Sequence, residues 1–444
     1  MKKFIYLPVI ALFVLQCLIL NSCYKEETAA LQFPPENNPW QKIRKERIEK
    51  LLPLAMQRAN VDSWIVICRE NNNDPLALHI GAENAGGTAA FIYFLKDSSL
   101  QSISVCPEGE ADALAETGVV DSVIRIERGY NIWEKIKEVF AKYEPKNIAI
   151  NSSEYSIADG LSYNQRIEME VGVGEKYSKR FVPSTDLVNE WLSVKLPEEI
   201  EIMKKAAEIT SQLQYEAYSI VEPGVTKDSD VAKFLKKRMK ELGVKDGWAP
   251  DQNPNVNSGP DRGHSHATEK VIMPGDVIQT DFGIKVYDIW VTDIQRFAYV
   301  LKPEEIDAPG NIKKYWENSI KGHRKVLAAM KPGVTGWFVD KTQRDWMNEA
   351  GSLPVIWGTG HPVGYWAHDA GPALSGATRS DKPIGNSARV LRTGQTFAYD
   401  GFFKWRTEND TTKTISVEEM VVVTETGAEY MAAPQEKLIL IKGK

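Results

Sequence analysis

Four carboxylates and one histidine stand out for where they fall. Asp281 closes the run "VIQTDF" and Asp400 closes "TFAYD", while Asp293 and Glu418 begin the apolar runs "TDIQRFAYV" and "SVEEMVVV". A carboxylate entering a buried strand is costly unless it is paired or bound to a cation. His361 lies between glycines in "GTGHPVG". Four acids and one imidazole make an oxygen-rich donor set suited to divalent Mn, Co, Zn or Fe. Their combined negative charge exceeds what one dication balances. That favours two ions, about 3.5–4 Å apart, with a bridging carboxylate.

Other residues compete for these roles or surround them. Four of the six histidines form two clusters: His264 and His266 in "GPDRGHSHAT", His361 and His368 in "GTGHPVGYWAHDAG". His264 reads as a loop residue, and His79 and His323 as ordinary packed histidines. Asp288 in "VYDIWV" falls in an expected hairpin turn, and Glu419 reads as a support for Glu418. Residues 68 and 106 are the cysteines of the body of the chain, each in a predicted strand, and they read as buried free thiols. No cysteine cluster suggests a thiolate metal site.

The elements that carry the acids occur twice. An amphipathic helix over "LPEEIEIMKKAAEITSQLQYEAYSIV" runs into "EPGVT" (222–226) and then the helix "SDVAKFLKKRMKELG". Later, "NIKKYWENSIKGHRKVLAAM" runs into "KPGVT" (331–335) and the helix "FVDKTQRDWMNEAG". Behind each copy stands a Gly-to-Asp strand with the same spacing, Gly275 to Asp281 and Gly394 to Asp400. Ordered agreement of this kind indicates an internal duplication. It places Asp400 opposite Asp281 across a pseudo-twofold axis.

The first half has a different pattern. Residues 40–185 alternate helices with the short β-rich runs "SWIVICR", "TAAFIYFL", "SISVC" and "NIAINSS", which predicts a three-layer α/β domain. It has one histidine and no phosphate loop, so its expected role is scaffolding or substrate access. Two domains are expected for a body of this length: 40–185 and 186–444. The net charge of −6 gives no reason to expect a nucleic-acid partner.

The amino terminus sets the compartment. "MKKFIYLPVIALFVLQCLILNSC" has two lysines, an apolar run of signal-peptide length and a small residue before Cys23. Residues 1–22 resemble a bacterial lipoprotein signal peptide, with Cys23 lipidated; the alternative is an uncleaved membrane anchor. Either places the body in the cell envelope, outside the cytoplasm and tethered to a membrane, with 23–39 as a polar, Pro-containing tether. Resemblance to other bacterial lipoproteins points mildly to the outer membrane.

The motifs "VKLPEEIEIMKKAAEIT", "GDVIQTDFG", "TDIQRF", "GTGHPVGYWAHD" and "VEEMVVVTETG" together resemble the pita-bread (M24) metallopeptidases. The two-domain layout is similar to their Xaa-Pro aminopeptidase, prolidase and creatinase branch. The resemblance implies an α/β (α+β) chain, with a creatinase-like amino-terminal domain before a duplicated pita-bread domain. It also implies two metal ions, Mn foremost, held by Asp281, Asp293, His361, Asp400 and Glu418. His266 and His368 would bind substrate and stabilise the tetrahedral intermediate, and Asp400 would also shuttle a proton. The implied reaction is hydrolysis of an Xaa-Pro bond in a peptide substrate, and the implied assembly a homodimer. Three positions and one interval depart from the family pattern. Asp400 replaces a usual Glu, Trp357 a frequent His and Ser416 a frequent Arg, and the Asp281–Asp293 interval is one residue longer. A lyase or creatinase-like hydrolase of the same fold, or a peptide-binding lipoprotein, would share much of this sequence.

Overall fold

A computed structural model describes residues 33–442, apart from 84, 86, 128 and 263–265. The signal segment, Cys23, most of the tether and His264 lie outside the described residues. Among the described residues no helix is long and apolar enough to cross a membrane.

The first half contains six strands: β1 (Ser63–Arg69), β2 (Thr88–Lys96), β3 (Ser99–Pro107), β4 (Ser122–Ile126), β5 (Ile148–Ile150) and β6 (Phe181–Pro183). They form one mixed sheet of order β4-β3-β2-β1-β5-β6. Alternation along β1 sends Trp64, Val66 and Cys68 to one apolar cluster and Ile65 and Ile67 to another. With period-two side chains, a strand buried on both faces marks the middle of three layers. Cys68 and Cys106 are buried and free, as expected.

The second half is built on the repeated helices. Helix α1 (Trp40–Lys50) belongs to the first half; α2 (Pro197–Ser219) and α3 (Asp228–Leu242) form one repeat pair, α4 (Gly310–Ala329) and α5 (Gly336–Ala350) the other. The strands are β7 (Lys245–Asp246), β8 (Asn255–Ser258), β9 (Val277–Phe282), β10 (Ile284–Val286), β11 (Trp290–Val291), β12 (Ile294–Val300), β13 (Gly360–Pro362), β14 (Thr396–Arg406), β15 (Thr412–Val423), β16 (Ala428–Tyr430) and β17 (Ile439–Ile441). Eight of them make a sheet of order β13-β14-β15-β12-β9-β8, with β16 and β17 alongside; β11-β10-β7 form a small third sheet.

The duplication reappears in the hydrogen bonds. The N–H of Gly224 donates to Ile272 O and that of Gly333 to Leu391 O, both at 2.8 Å. Ahead of the two acid-bearing strands, Gly275 and Gly394 have φ of 92° and 84°, a left-handed conformation that only glycine adopts without cost. Their N–H groups donate to Val300 O at 2.7 Å and Val423 O at 2.8 Å. The two repeats therefore enter the sheet through the same turn.

The long apolar core does not stop at the middle of the chain. One cluster of buried residues runs from Trp40 and Trp64 through Trp191 and Leu213 to Ile278 and Met420. The first half is thus packed against the helices of the second.

Candidate metal centre

The acids share one face because strands alternate. Along β9, Thr280 turns towards α2, where its hydroxyl donates to Gln214 Oε1 at 2.5 Å and lies 3.1 Å from the Tyr218 hydroxyl. Asp281 turns the other way. Along β14, Tyr399 turns towards α4 and reaches His323 Nδ1 at 3.0 Å, leaving Asp400 on the opposite face. Along β15, Glu419 is held by Arg296 with contacts of 2.9 and 3.0 Å, while Glu418 faces inwards.

The register then lines these residues up. Asp281 is opposite Gln295, Gln295 is opposite Glu418, and Glu418 is opposite Asp400. Four adjacent strands thus present one row, with β12 and β15 meeting only at the Gln295–Glu418 pair. Asp293 and Glu418 are not equivalent in this arrangement. Asp293 sits just ahead of β12, whereas Glu418 lies in the middle of β15, so the expectation that both begin strands holds only for Asp293. The position matching Glu418 across the pseudo-twofold is taken by Gln295.

Three of the five predicted ligands converge. Asp293, His361 and Glu418 each offer a donor atom, all within 4.8 Å of one another. His361 Nε2 lies 3.7 Å from both Asp293 Oδ2 and Glu418 Oε1. Asp281 lies close enough to Asp293 for its charge to raise that carboxyl, and Asp400 pairs with Glu418 in the row. His361 Nδ1 is 3.2 Å from Pro362 O; donating a proton there leaves Nε2 as a lone-pair donor towards the acids. Gly360 lets β13 lie close against β14: a Cβ there would stand 2.4 Å from Ala398 O.

The electrostatics are those of a site short of positive charge. Burial, and then the charges of Glu418 and Asp281, push the Asp293 carboxyl well above the usual carboxylate range. Burial, Glu418 and Asp281 do the same to Asp400, against the opposing effect of Arg344. Among the described residues, Asp400 Oδ1 is buried without a hydrogen-bond partner. A buried lone pair of this kind, beside convergent carboxylates and an imidazole nitrogen, fits a hard or borderline divalent cation.

Around the cluster, His368 stands edge-on to His361, with ring centroids 4.2 Å apart. His266 has an exposed side chain and lies outside the close group. Asp288 is in the β10–β11 turn at φ 62°, as expected, and pairs with Lys245. His79 and His323 are buried among aromatic rings. Trp357 meets the Phe402 ring at 5.7 Å and lines a cavity of about 160 Å³ with Asn257, Gln279, Lys404 and Ser416. Ser416 donates to Gln295 Oε1 at 2.9 Å, and Gln295 Nε2 donates to Glu418 Oε2 at 2.8 Å. Gln295 is the supporting residue that sequence reasoning missed. Its signal was its place two residues beyond Asp293 on the same alternation.

The profile of metallopeptidase family M24 matches residues 201–425. An Xaa-Pro dipeptidase from Pyrococcus furiosus is 25% identical over 400 residues, covering 89% of this chain and 100% of its own. A methionine aminopeptidase from Thermococcus onnurineus is 28% identical over 208 residues, covering 46% of this chain and 64% of its own. Among solved structures, the X-Pro aminopeptidase from Thermotoga maritima superposes with a TM-score of 0.64 at 21% identity, covering 87% of this chain and 100% of its own. Dipeptidase PepE from Mycobacterium ulcerans does so with a TM-score of 0.67 at 18% identity, covering 90% of this chain and 99% of its own.

Proposed function

Since the chain belongs to metallopeptidase family M24, we propose that it hydrolyses the Xaa-Pro bond at the amino terminus of short peptides or dipeptides. The observation that carries this reading is the convergence of Asp293, His361 and Glu418, with Asp281 and the partnerless Asp400 oxygen beside them. We assign the two divalent ions, Mn foremost, to Asp281, Asp293, His361, Asp400 and Glu418. When bound, such a pair supplies an acidified water and polarises the scissile carbonyl.

The chain's own groups do the rest. His368, on the exposed side of His361, donates a hydrogen bond to the carbonyl oxygen as negative charge develops there. Asp400 takes the proton released at the attacking water and passes it to the leaving nitrogen, the role for which a second free oxygen is required. Gln295 fixes the Glu418 carboxylate through its amide N–H, and Arg296, bound to Glu419, fixes the backbone of the same strand. His266 is assigned to the substrate on the outer side.

Resemblance to Xaa-Pro dipeptidases and aminopeptidases supports the substrate class, and the lipobox-like "LNSC" supports a lipid anchor on Cys23 in the cell envelope. The Asp400 and Trp357 departures support a second reading, a peptide-binding lipoprotein that keeps the metal site without turnover, and a pita-bread lyase would keep the same metals. Incubating the full chain with Ala-Pro and Gly-Pro, with Mn or Co added, separates the two. Release of free proline supports the peptidase. Bound metal without cleavage of any Xaa-Pro peptide promotes the second reading.

A further inference from the structure

A buried ionic group links the first half of the chain to the loop that carries His361 and His368. Arg47, on α1, is 1% exposed and reaches across the halves. Its Nη1 donates to Glu199 Oε2 at 2.6 Å and to Val194 O at 2.8 Å, and its Nη2 donates to Trp191 O at 2.7 Å. Glu199 Oε1 accepts from the Tyr365 hydroxyl at 2.6 Å and from Trp290 Nε1 at 3.1 Å. The Tyr365 N–H donates to Asp369 Oδ2 at 2.9 Å, and Lys195 Nζ donates to the same oxygen at 3.1 Å. Lys195 Nζ also stands 4.4 Å from the Tyr365 ring centre, and Arg47 Cζ stands 5.2 Å from it.

The group ends on the site. The Asp369 N–H donates to Pro362 O at 3.0 Å, the same carbonyl that His361 Nδ1 contacts at 3.2 Å. His368 is the residue before Asp369, and its ring rests on His361. Two buried cations and two buried acids balance in charge, yet such pairs are commonly no more stabilising than apolar side chains of similar volume. A purely structural tie between the halves would not need four charges that meet at one tyrosine. The bonds run instead to both ends of the segment between His361 and His368.

We propose that Arg47, Glu199, Tyr365, Lys195 and Asp369 are positioning residues for His361 and His368, so that the first half of the chain sets the catalytic geometry. The inference rests on the peptidase reading for its activity assay, but not for its spectroscopic one. Asp369 fixes the Pro362 carbonyl, and that carbonyl fixes the proton on His361 Nδ1 and hence the free Nε2 lone pair. Glu199 holds the middle of the loop through the Tyr365 hydroxyl, and a shift of about 1 Å there is enough to misplace a catalytic group.

The test is Tyr365→Phe, which keeps the ring and removes only the hydroxyl, beside Arg47→Met. Ile136→Ala, in the apolar core of the first half, serves as a stability control. In Mn-loaded full-length protein, both network variants lower kcat on the order of 10-fold, with KM changing less than kcat. Ile136→Ala lowers Tm without changing kcat. In the metal-free chain, histidine ¹H–¹⁵N signals of His361 and His368 shift in Tyr365→Phe, and that of His323 does not. Unchanged His361 and His368 signals overturn the proposal, as does a kcat loss in Ile136→Ala equal to that of the network variants. A wild type inactive on every Xaa-Pro peptide sinks the peptidase reading alone, and the histidine spectra then decide this one.

Discussion

Asp400 concentrates the chemistry of the site in one side chain. It lies in the row of acids and keeps one buried oxygen without a partner among the described residues, and burial with neighbouring negative charge holds its carboxyl well above the usual range. Asp400→Asn therefore removes repulsion from the metal-free protein while removing a ligand. The expected result is a metal-free chain stabilised by about 1–2 kcal/mol, measured by urea unfolding, together with loss of metal binding measured by elemental analysis. Asp400→Glu tests reach. Higher turnover marks the natural Asp as a detuned proton carrier, and lost turnover marks a site built around the shorter acid. His323 gives a separate, pH-dependent prediction. Burial lowers its pKa from 6.5 to about 3. Between these values the unfolded chain takes up a proton that the native chain refuses, so stability is present above pH 6.5 and falls as the pH drops through that window. His323→Leu should flatten that fall between pH 7 and 5 in urea midpoints; an unchanged slope would contradict it. The acids were legible because charge in an apolar run is conspicuous, and His361 because it stands between glycines. Gln295 was not, because an uncharged amide in a strand looks like any other polar residue.

At the scale of elements, the repeated helix–turn–helix–strand unit explains why the acids meet. Both copies enter the sheet through a glycine turn, so strand alternation turns Asp281 and Asp400 to the same face. These turns could be read from the sequence because a left-handed backbone leaves a glycine at a fixed interval from the acid. The pairing of β12 with β15 could not, since a single bridge at Gln295 and Glu418 leaves no sequence pattern. The packing of α4 on β14 is equally specific: a Cβ on Gly401 would lie 2.5 Å from His323 Cβ and from Ser319 O. Gly401→Ala is expected to cost about 1–3 kcal/mol by overpacking, whereas Gly427→Ala, where a Cβ meets nothing within 4 Å, should change stability by less than about 0.5 kcal/mol. Equal denaturation midpoints for the two variants would show that the helix yields without cost.

Across the whole molecule, three sheets of different construction share one long core. The α/β character of the first half followed from its period-two runs between helices; the acids of the second indicated a metal site, and its metallopeptidase character came from the resemblance of its motifs to that family. The contact between the halves was not legible. Arg47 lies in a helix whose sequence, "WQKIRKERIEK", has several similar cations, and only the fold shows which one is buried on Glu199. The central claim is that the row of acids with His361 holds metal for hydrolysis of Xaa-Pro bonds. Its most direct test is proline release from Ala-Pro by full-length protein, followed while Mn bound per chain is counted, for the wild type and Glu418→Ala. The wild type should bind two ions and release proline only when they are present, and Glu418→Ala should lose both properties. Two ions bound without proline release, or metal content unchanged in Glu418→Ala, would contradict the account.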